Sequence, residues 1–399
     1  MSPEAVSLDL LVSLSAYHFV WFVVHSESCL GCLSSSLSHA SLDTSKAKHR
    51  QSGSTLGDTH AFISRYASAK FFSFSLCIAA RSTAFAKLNP PFLKGTSNMS
   101  AQPTIGFVGV GSMGWPMAAL LHKAGYPLQI VDASAERAQA FCKEIGGTVA
   151  TSNRALAAAS DIIITILPTS AIVEAVLNGP DGVLAGLRPD AVIVEMSSGV
   201  PTITRTLAEQ VAAAKGHLVD APVSGGVPRA KTGELAIMFG GSAALLERVR
   251  PVLSCMGTSI TPTGDVGSAH AMKALNNLVS AGGFLIGVEA LLIGKRFGLD
   301  PAAMVDVLNS STGMNNSTQK KFKQFVLSGQ YNAGFGLDLM VKDLSIALGI
   351  GKDTNTPTPF AAMCREMWAA SAAMLGPGQD HTAVAKMSEK LAGTVLSDK

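Results

Sequence analysis

With 399 residues, 47% of them hydrophobic and only 15% charged, the chain can fill two or three domains around a substantial core, which excludes wholesale disorder. A formal net charge of +3 is too small to mark a nucleic-acid or membrane-surface partner. The six cysteines are scattered, and the lone CxxC of Cys29 and Cys32 has no second pair or histidine cluster to complete a metal site. Reduced thiols of this kind fit a cytoplasmic protein.

Residues 1–98 differ from the rest. They carry Gly31, Gly53, Gly57 and Gly95 of the chain's 38 glycines and are crowded with serine. The apolar stretch from Ala5 to Val24 is interrupted by Asp9 and His18 and lacks a basic lead-in, so it does not read as a membrane segment. Thr59 to Asn98 holds no acid, while Arg65, Lys70, Arg81, Lys87 and Lys94 punctuate Ser and aromatic residues. That composition resembles a mitochondrial transit peptide, which makes a mitochondrial address the alternative to the cytoplasm. The extension is expected to be disordered, or an artefact upstream of a true start at Met99.

The regular pattern begins at Gln102. Thr104 to Val108 is a β-branched apolar run and reads as a buried strand. It runs into Gly109-x-Gly111-x-x-Gly114, and Met117, Leu120 and Leu121 continue with helical spacing. The first glycine permits a tight turn, the second lets backbone approach a pyrophosphate, and the third allows close helix–strand packing. A second strand, Leu128 to Val131, ends in Asp132 at about the 20-residue offset of a ribose-binding acid. Strand, glycines, helix, strand and acid in that order indicate dinucleotide binding.

A helix over Ala135 to Glu144 is followed by strands at Asp161 to Leu167, Ala191 to Glu195, His217 to Val223 and Glu234 to Phe239. Helices are expected after Pro168-Thr169 and from Pro201. This alternation predicts a doubly wound parallel sheet of Rossmann type over residues 102–264, with ligands at the carboxyl ends of the strands. Beyond Gly267 the β pattern stops. Ser268 to Phe297 reads as one long helix bridging to an all-α region, residues 265–399. Asp300-Pro301 caps the next helix, and further helices are expected at Ser317 to Leu327, Leu337 to Leu348, Phe360 to Met374 and Thr382 to Ala392.

Two places stand out chemically. Lys273 and Asn277 are four apart on the long helix and share a face. A lysine on so apolar a helix either borders a cleft or snorkels at a domain edge. Ser224-Gly225-Gly226 follows a strand end and either cradles an anion on its backbone N–H groups or forms an ordinary turn.

Together the segments GVGSMGWPMA, DAPVSGGVPRAKTGELAIMFGG, GDVGSAHAMKALNN and LMVKDLSIA resemble the β-hydroxyacid dehydrogenase family, from Pro103 to Ala392. That group contains 3-hydroxyisobutyrate dehydrogenase, tartronate semialdehyde (2-hydroxy-3-oxopropionate) reductase and glyoxylate/succinic semialdehyde reductase. The resemblance implies that Gly109, Gly111, Met113, Gly114, Leu167, Pro168, Ser198 and Lys342 contact the cofactor, and that Asp343 forms a pair with Lys342. It implies that Ser224, Gly225 and Gly226 hold the substrate carboxylate, that Lys273 is catalytic, and that Asn277 orients the substrate. Asp132 falls where an acid favours NAD, since a carboxylate accepts from the ribose 2′-OH and repels a 2′-phosphate. Relatives that prefer NADP often carry Asn-Arg there, and NADP is the alternative. The sequence departs from the family at Ala269, where glycine is frequent, and at Gly199, where a larger residue is usual.

The implied reaction is NAD(P)-dependent hydride transfer between the cofactor and a small β-hydroxyacid or its semialdehyde, with Lys273 as general acid/base and no metal. His270 is read as a helix-surface or supporting residue. Gly313 to Ser317 and Phe335 are expected to line the pocket. The partner is a small molecule, not nucleic acid or membrane, and a homodimer or homotetramer is expected. Imine-reducing relatives generally lack the lysine, and 6-phosphogluconate dehydrogenase needs basic residues absent here. The reading from another class is a non-catalytic dinucleotide-binding scaffold, against which Lys273 and Asn277 argue.

Overall fold

The computed structural model describes residues 102–397; the expectations for residues 1–98 lie outside the described residues. Nine strands form one sheet: β1 (Ile105–Val108), β2 (Leu128–Val131), β3 (Thr148–Val149), β4 (Ile162–Thr165), β5 (Val192–Glu195), β6 (His217–Asp220), β7 (Val223–Ser224), β8 (Leu235–Gly240) and β9 (Gly257–Gly264). Their order is β3-β2-β1-β4-β5-β6-β8-β7, with β9 paired to β8. β1 to β6 run parallel; β8 is antiparallel to β6 and β7 and parallel to β9.

Helices α1 (Gly114–Lys123), α2 (Ala135–Glu144), α3 (Asn153–Ala158), α4 (Ser170–Asn178), α5 (Val183–Gly186), α6 (Pro201–Ala213), α7 (Gly226–Thr232) and α8 (Ala243–Leu253) accompany the sheet. Every residue of β1, β4 and β5 is buried, and alternate side chains enter cores on opposite faces. Phe107, Ile130, Ile164 and Val194 pack with Met117 of α1, Phe141 of α2 and Val249 of α8. Val108, Ile163 and Ile193 pack with Leu156 of α3, Val173 of α4 and Leu207 of α6. The sheet is therefore doubly wound, as the near-continuous Ile-Ile-Ile and Val-Ile-Val runs require.

The remainder is helical: α9 (Ser268–Phe297), α10 (Pro301–Asn309), α11 (Asn316–Lys320), a π-helical segment Phe322–Leu327, α12 (Leu337–Asp353), α13 (Pro359–Leu375), a 3₁₀ turn His381–Val384 and α14 (Ala385–Ala392). Its core gathers Phe284 and Val288 of α9, Val305 of α10, Phe322, Leu344 of α12 and Trp368 of α13. By length and composition α9 could cross a membrane, but 56% of its most apolar window is buried inside the fold, as in the core helix of a globular protein.

Several boundaries follow from local chemistry. Thr169 and Asp300 cap α4 and α10 by accepting from the N–H of Ile172 and Ala303. The strand expected over His217 to Val223 ends at Asp220, because Ala221-Pro222 breaks the ladder and β7 pairs separately with β8. β9 was not expected from its sequence, GTSITPTG; it pairs only with β8, and Pro262 is tolerated at such an edge. The single helix expected over Ser317 to Leu327 divides at Lys321, where the backbone leaves the α region and a π segment follows.

Candidate active site

The glycine turn joins β1 to α1. Gly109 has φ +100°, and a Cβ there would meet the Ile166 carbonyl oxygen at 2.5 Å. A Cβ on Gly114 would overlap the Gly109 carbonyl oxygen, whereas one on Gly111 would meet nothing within 4 Å. Two of these glycines therefore close the turn, and the third leaves a free approach to the backbone. Met113 occupies the N-cap of α1 and no side chain caps that helix; Trp115 N–H donates to the Gly111 carbonyl at 2.9 Å and Pro116 carries no N–H, so in the first turn it is the Gly114 N–H that stays open to an anion. Asp132, at the end of β2, accepts from the N–H of Val110 at 2.8 Å and of Ser134 at 2.9 Å, with Arg137 at 3.3 Å. This turn, open at Gly111 and bordered by a fixed carboxylate, fits a dinucleotide.

Neighbouring strand ends extend the same rim. The Leu167 side chain lies 3.0 Å from where a Gly109 Cβ would stand, and Pro168 beside it is exposed. The Leu167 N–H donates to Ser197 Oγ at 2.8 Å, linking the ends of β4 and β5. The next residue, Ser198, accepts on its carbonyl from Lys342 Nζ of α12 at 2.6 Å. Gly109, Leu167, Pro168 and Ser198 thus follow the ends of three adjacent strands, β1, β4 and β5, and Lys342 reaches them from the helical region. Ser224 ends β7, and Gly225 and Gly226 lead from it into α7 with φ of +134° and +66°. Among the described residues no hydrogen bond joins them to Lys273 or Asn277; β8 pairs with β7 and also packs against α9.

Lys273 and Asn277 are buried on α9, at 8% and 7% exposure. Asn277 Nδ2 donates to Asp343 Oδ2 at 2.6 Å, and Lys342 Nζ lies 3.2 Å from Asp343 Oδ1. A chain therefore runs from Asn277 through Asp343 and Lys342 to the Ser198 carbonyl. Burial holds the Lys273 amine below its ordinary value; Asp343 works against this and Lys342 adds to it. Burial of this depth favours the cleft-bordering reading of Lys273 over a snorkelling amine.

His270, one turn before Lys273, is not on the helix surface: its side chain is fully buried. Nε2 lies 2.7 Å from Glu195 Oε2 at the end of β5, and Nδ1 is 2.8 Å from Thr204 Oγ1 and 3.9 Å from Asp220. Asp220, at the end of β6, accepts from the N–H of Gly267 at 2.7 Å and of His270 at 2.8 Å, occupying the positive end of α9. Burial disfavours charge on Glu195, yet His270 and the Ser197 hydrogen bonds outweigh it and hold the carboxyl below its ordinary value. Burial likewise opposes charge on His270, and Glu195 with Asp220 overcomes it, holding the imidazole above its ordinary value. Gly199 makes room for this: a Cβ there would meet His270 Cε1 at 2.7 Å. Glu195, Asp220 and Thr204 were not singled out from the sequence, although both acids close otherwise apolar strands. Of the expected pocket residues, Asn315 caps α11 by accepting from the N–H of Ser317 and Thr318, Ser317 is buried, and Phe335 packs edge-on against His381.

The family described as the NAD binding domain of 6-phosphogluconate dehydrogenase matches residues 104–264. The family described as NAD-binding of NADP-dependent 3-hydroxyisobutyrate dehydrogenase matches residues 267–388. A 2-(hydroxymethyl)glutarate dehydrogenase of Eubacterium barkeri is 41% identical over 294 residues, 73% of this chain and 97% of the relative. The mitochondrial 3-hydroxyisobutyrate dehydrogenase of Mus musculus is 34% identical over 277 residues, 68% of this chain and 82% of the relative. Among solved structures, the Mycobacterium tuberculosis 3-hydroxyisobutyrate dehydrogenase with L-serine superposes with a TM-score of 0.67 at 31% identity, covering 72% of this chain and 99% of that one.

Proposed function

The chain belongs to the 3-hydroxyisobutyrate dehydrogenase family of NAD(P)-dependent oxidoreductases acting on CH–OH groups, and on that footing we propose that it transfers a hydride between the dinucleotide and a small β-hydroxyacid or its semialdehyde, with Lys273 as general acid/base. The observation that carries the reading is the buried Lys273 amine beside Asn277, on a helix tied through Asp343 and Lys342 to the strand end at Ser198.

When bound, the nicotinamide supplies the acceptor for the hydride that leaves the carbinol carbon. In the oxidative direction Lys273 takes the hydroxyl proton as the C–O bond becomes C=O; in the reductive direction its ammonium returns that proton. Burial favours the neutral amine that oxidation needs. Asp343 fixes one N–H of the Asn277 amide, leaving the other for the substrate oxygen. Successive positive φ values at Gly225 and Gly226 turn neighbouring N–H groups to one side, which suits the substrate carboxylate.

NAD is the proposed cofactor, because Asp132 is held as a fixed acceptor where the ribose is expected, while Arg137 beside it gives NADP a secondary route. The chain is proposed to pair with further copies as a homodimer or homotetramer, since α9 exposes Val279, Ile286 and Ile293 at seven-residue spacing. Incubation with NAD or NADP and a panel of β-hydroxyacids, and the reduced cofactors with glyoxylate or succinic semialdehyde, tests the reading. Reduced cofactor should accumulate with a β-hydroxyacid, faster with NAD than NADP. Cofactor binding without turnover of any acid or aldehyde would point to the scaffold instead.

A further inference from the structure

Among the described residues stands a partly buried cation that the proposed reaction does not use. Lys321 stands at the junction of α11 and the π segment, partly buried, and its Nζ donates to Ser280 Oγ of α9 at 3.2 Å. The same Nζ lies 5.9 Å from the centre of the Phe284 ring. Among the described residues no carboxylate forms an ion pair with it. Asp380 pulls on it through space, and its oxygens already accept from the N–H of Gly334, Phe335 and Thr382 and from the Thr382 hydroxyl. Burial brings the Lys321 ammonium down to about 8, against the pull of Asp380, so it stays mostly charged near neutral pH. A desolvated cation without a counter-ion is costly to keep unless an anion visits it.

Its position relates directly to Lys273. At 100° per residue, Lys273, Asn277, Ser280 and Phe284 fall within a wedge of about 60° on α9. Asn277 and Ser280 are neighbours along that stripe, roughly 5–6 Å apart at Cβ. Lys273 and Asn277 mark the reacting end, and Ser280 with Lys321 lies one step further along.

The substrates named for two relatives differ in the feature such a site would read. 3-Hydroxyisobutyrate and 2-(hydroxymethyl)glutarate share a hydroxymethyl group and a carboxylate on one carbon. The third substituent is a methyl group in the first and a carboxyethyl arm in the second, which places a second carboxylate two methylenes beyond the shared carbon.

We propose that Lys321 and the Ser280 hydroxyl form a subsite for a second carboxylate, making the chain selective for a hydroxymethyl diacid over the corresponding monoacid. This rests on the reading of Lys273 and Asn277 as the reacting end. Lys321 is a specificity-determining residue: its charge is neutralised by the distal carboxylate, and the Ser280 hydroxyl, aligned by Lys321, donates to the same group.

The test compares kcat/KM of the full-length protein with NAD for 2-(hydroxymethyl)glutarate and 3-hydroxyisobutyrate, in the native chain, Lys321→Met and Lys321→Arg. The native chain should favour the diacid; the diacid-to-monoacid ratio should fall roughly 10- to 100-fold in Lys321→Met and largely recover in Lys321→Arg. An unchanged ratio in a folded Lys321→Met would overturn the subsite. Calorimetric titration of the NAD-bound native chain with glutarate and with isobutyrate needs neither turnover nor a variant. Glutarate should bind more tightly, and equal binding would overturn the proposal even if every variant misfolds. If neither acid is turned over yet glutarate binds more tightly, the subsite stands and the dehydrogenase reading falls.

Discussion

Lys273 owes its proposed chemistry to burial and two charged neighbours rather than to its own residue type. Burial pushes its amine toward neutrality, Asp343 resists, and Lys342 repels. Lys342 therefore has two jobs, holding the Ser198 carbonyl at 2.6 Å and lowering the Lys273 pKa. With Lys273 as the proposed base, oxidation needs its neutral amine, so the rate should climb with pH through the Lys273 pKa. Removing the repelling charge in Lys342→Met raises that pKa, and the rising limb of the pH–rate profile should move to higher pH. A limb that stays in place would show that another group titrates.

Among the elements, the glycine turn is the part most legible in the sequence, because each glycine answers a separate steric demand. These demands can be separated by experiment. A methyl group on Gly114 collides with the Gly109 carbonyl, so Gly114→Ala should lose about 1–3 kcal/mol, read as a lower urea midpoint. A methyl group on Gly111 meets open space, so Gly111→Ala should keep the native midpoint while binding NAD more weakly in a fluorescence titration. Equal stability losses in both would contradict the assignment of Gly111 to ligand approach. The β-branched runs of β1, β4 and β5 and the Asp300-Pro301 start of α10 were equally readable, since each depends on local propensity. What stayed hidden depends on distant partners. β9 is a strand because β8 offers it an edge, and Lys321 divides a helix whose sequence alone reads as continuous. Likewise, Gly199 looked like a loss of side-chain volume until His270 was seen to fill the space.

Across the whole molecule, the start of α9 is fixed to the sheet by a buried knot of charge: Glu195 from β5, Asp220 from β6 and His270 from α9 itself. Removing the imidazole strands Glu195, so His270→Ala should cost about 3–5 kcal/mol in urea unfolding. The pH dependence follows from the directions of the two shifts. His270 is held above its ordinary 6.5, so its stabilisation is complete below that value and fades as pH rises through the higher folded value. Glu195 is held below its ordinary 4.5, so its stabilisation is complete above that value and fades as pH falls through the lower folded value. The native chain should thus lose stability as pH rises above the ordinary imidazole value, a decline that His270→Ala should lack; parallel curves would show that the knot contributes no such linkage. Because this knot sets the first turn of α9, it also sets where Lys273 stands one turn later.

The most direct measurement is turnover by Lys273→Ala, followed at the absorbance band of the reduced cofactor, with NAD affinity measured on the same preparation. Loss of the general acid/base should cut kcat by at least about 10²–10⁴-fold while NAD affinity stays close to native. Near-native turnover by a folded Lys273→Ala would contradict the assignment of this amine to proton transfer.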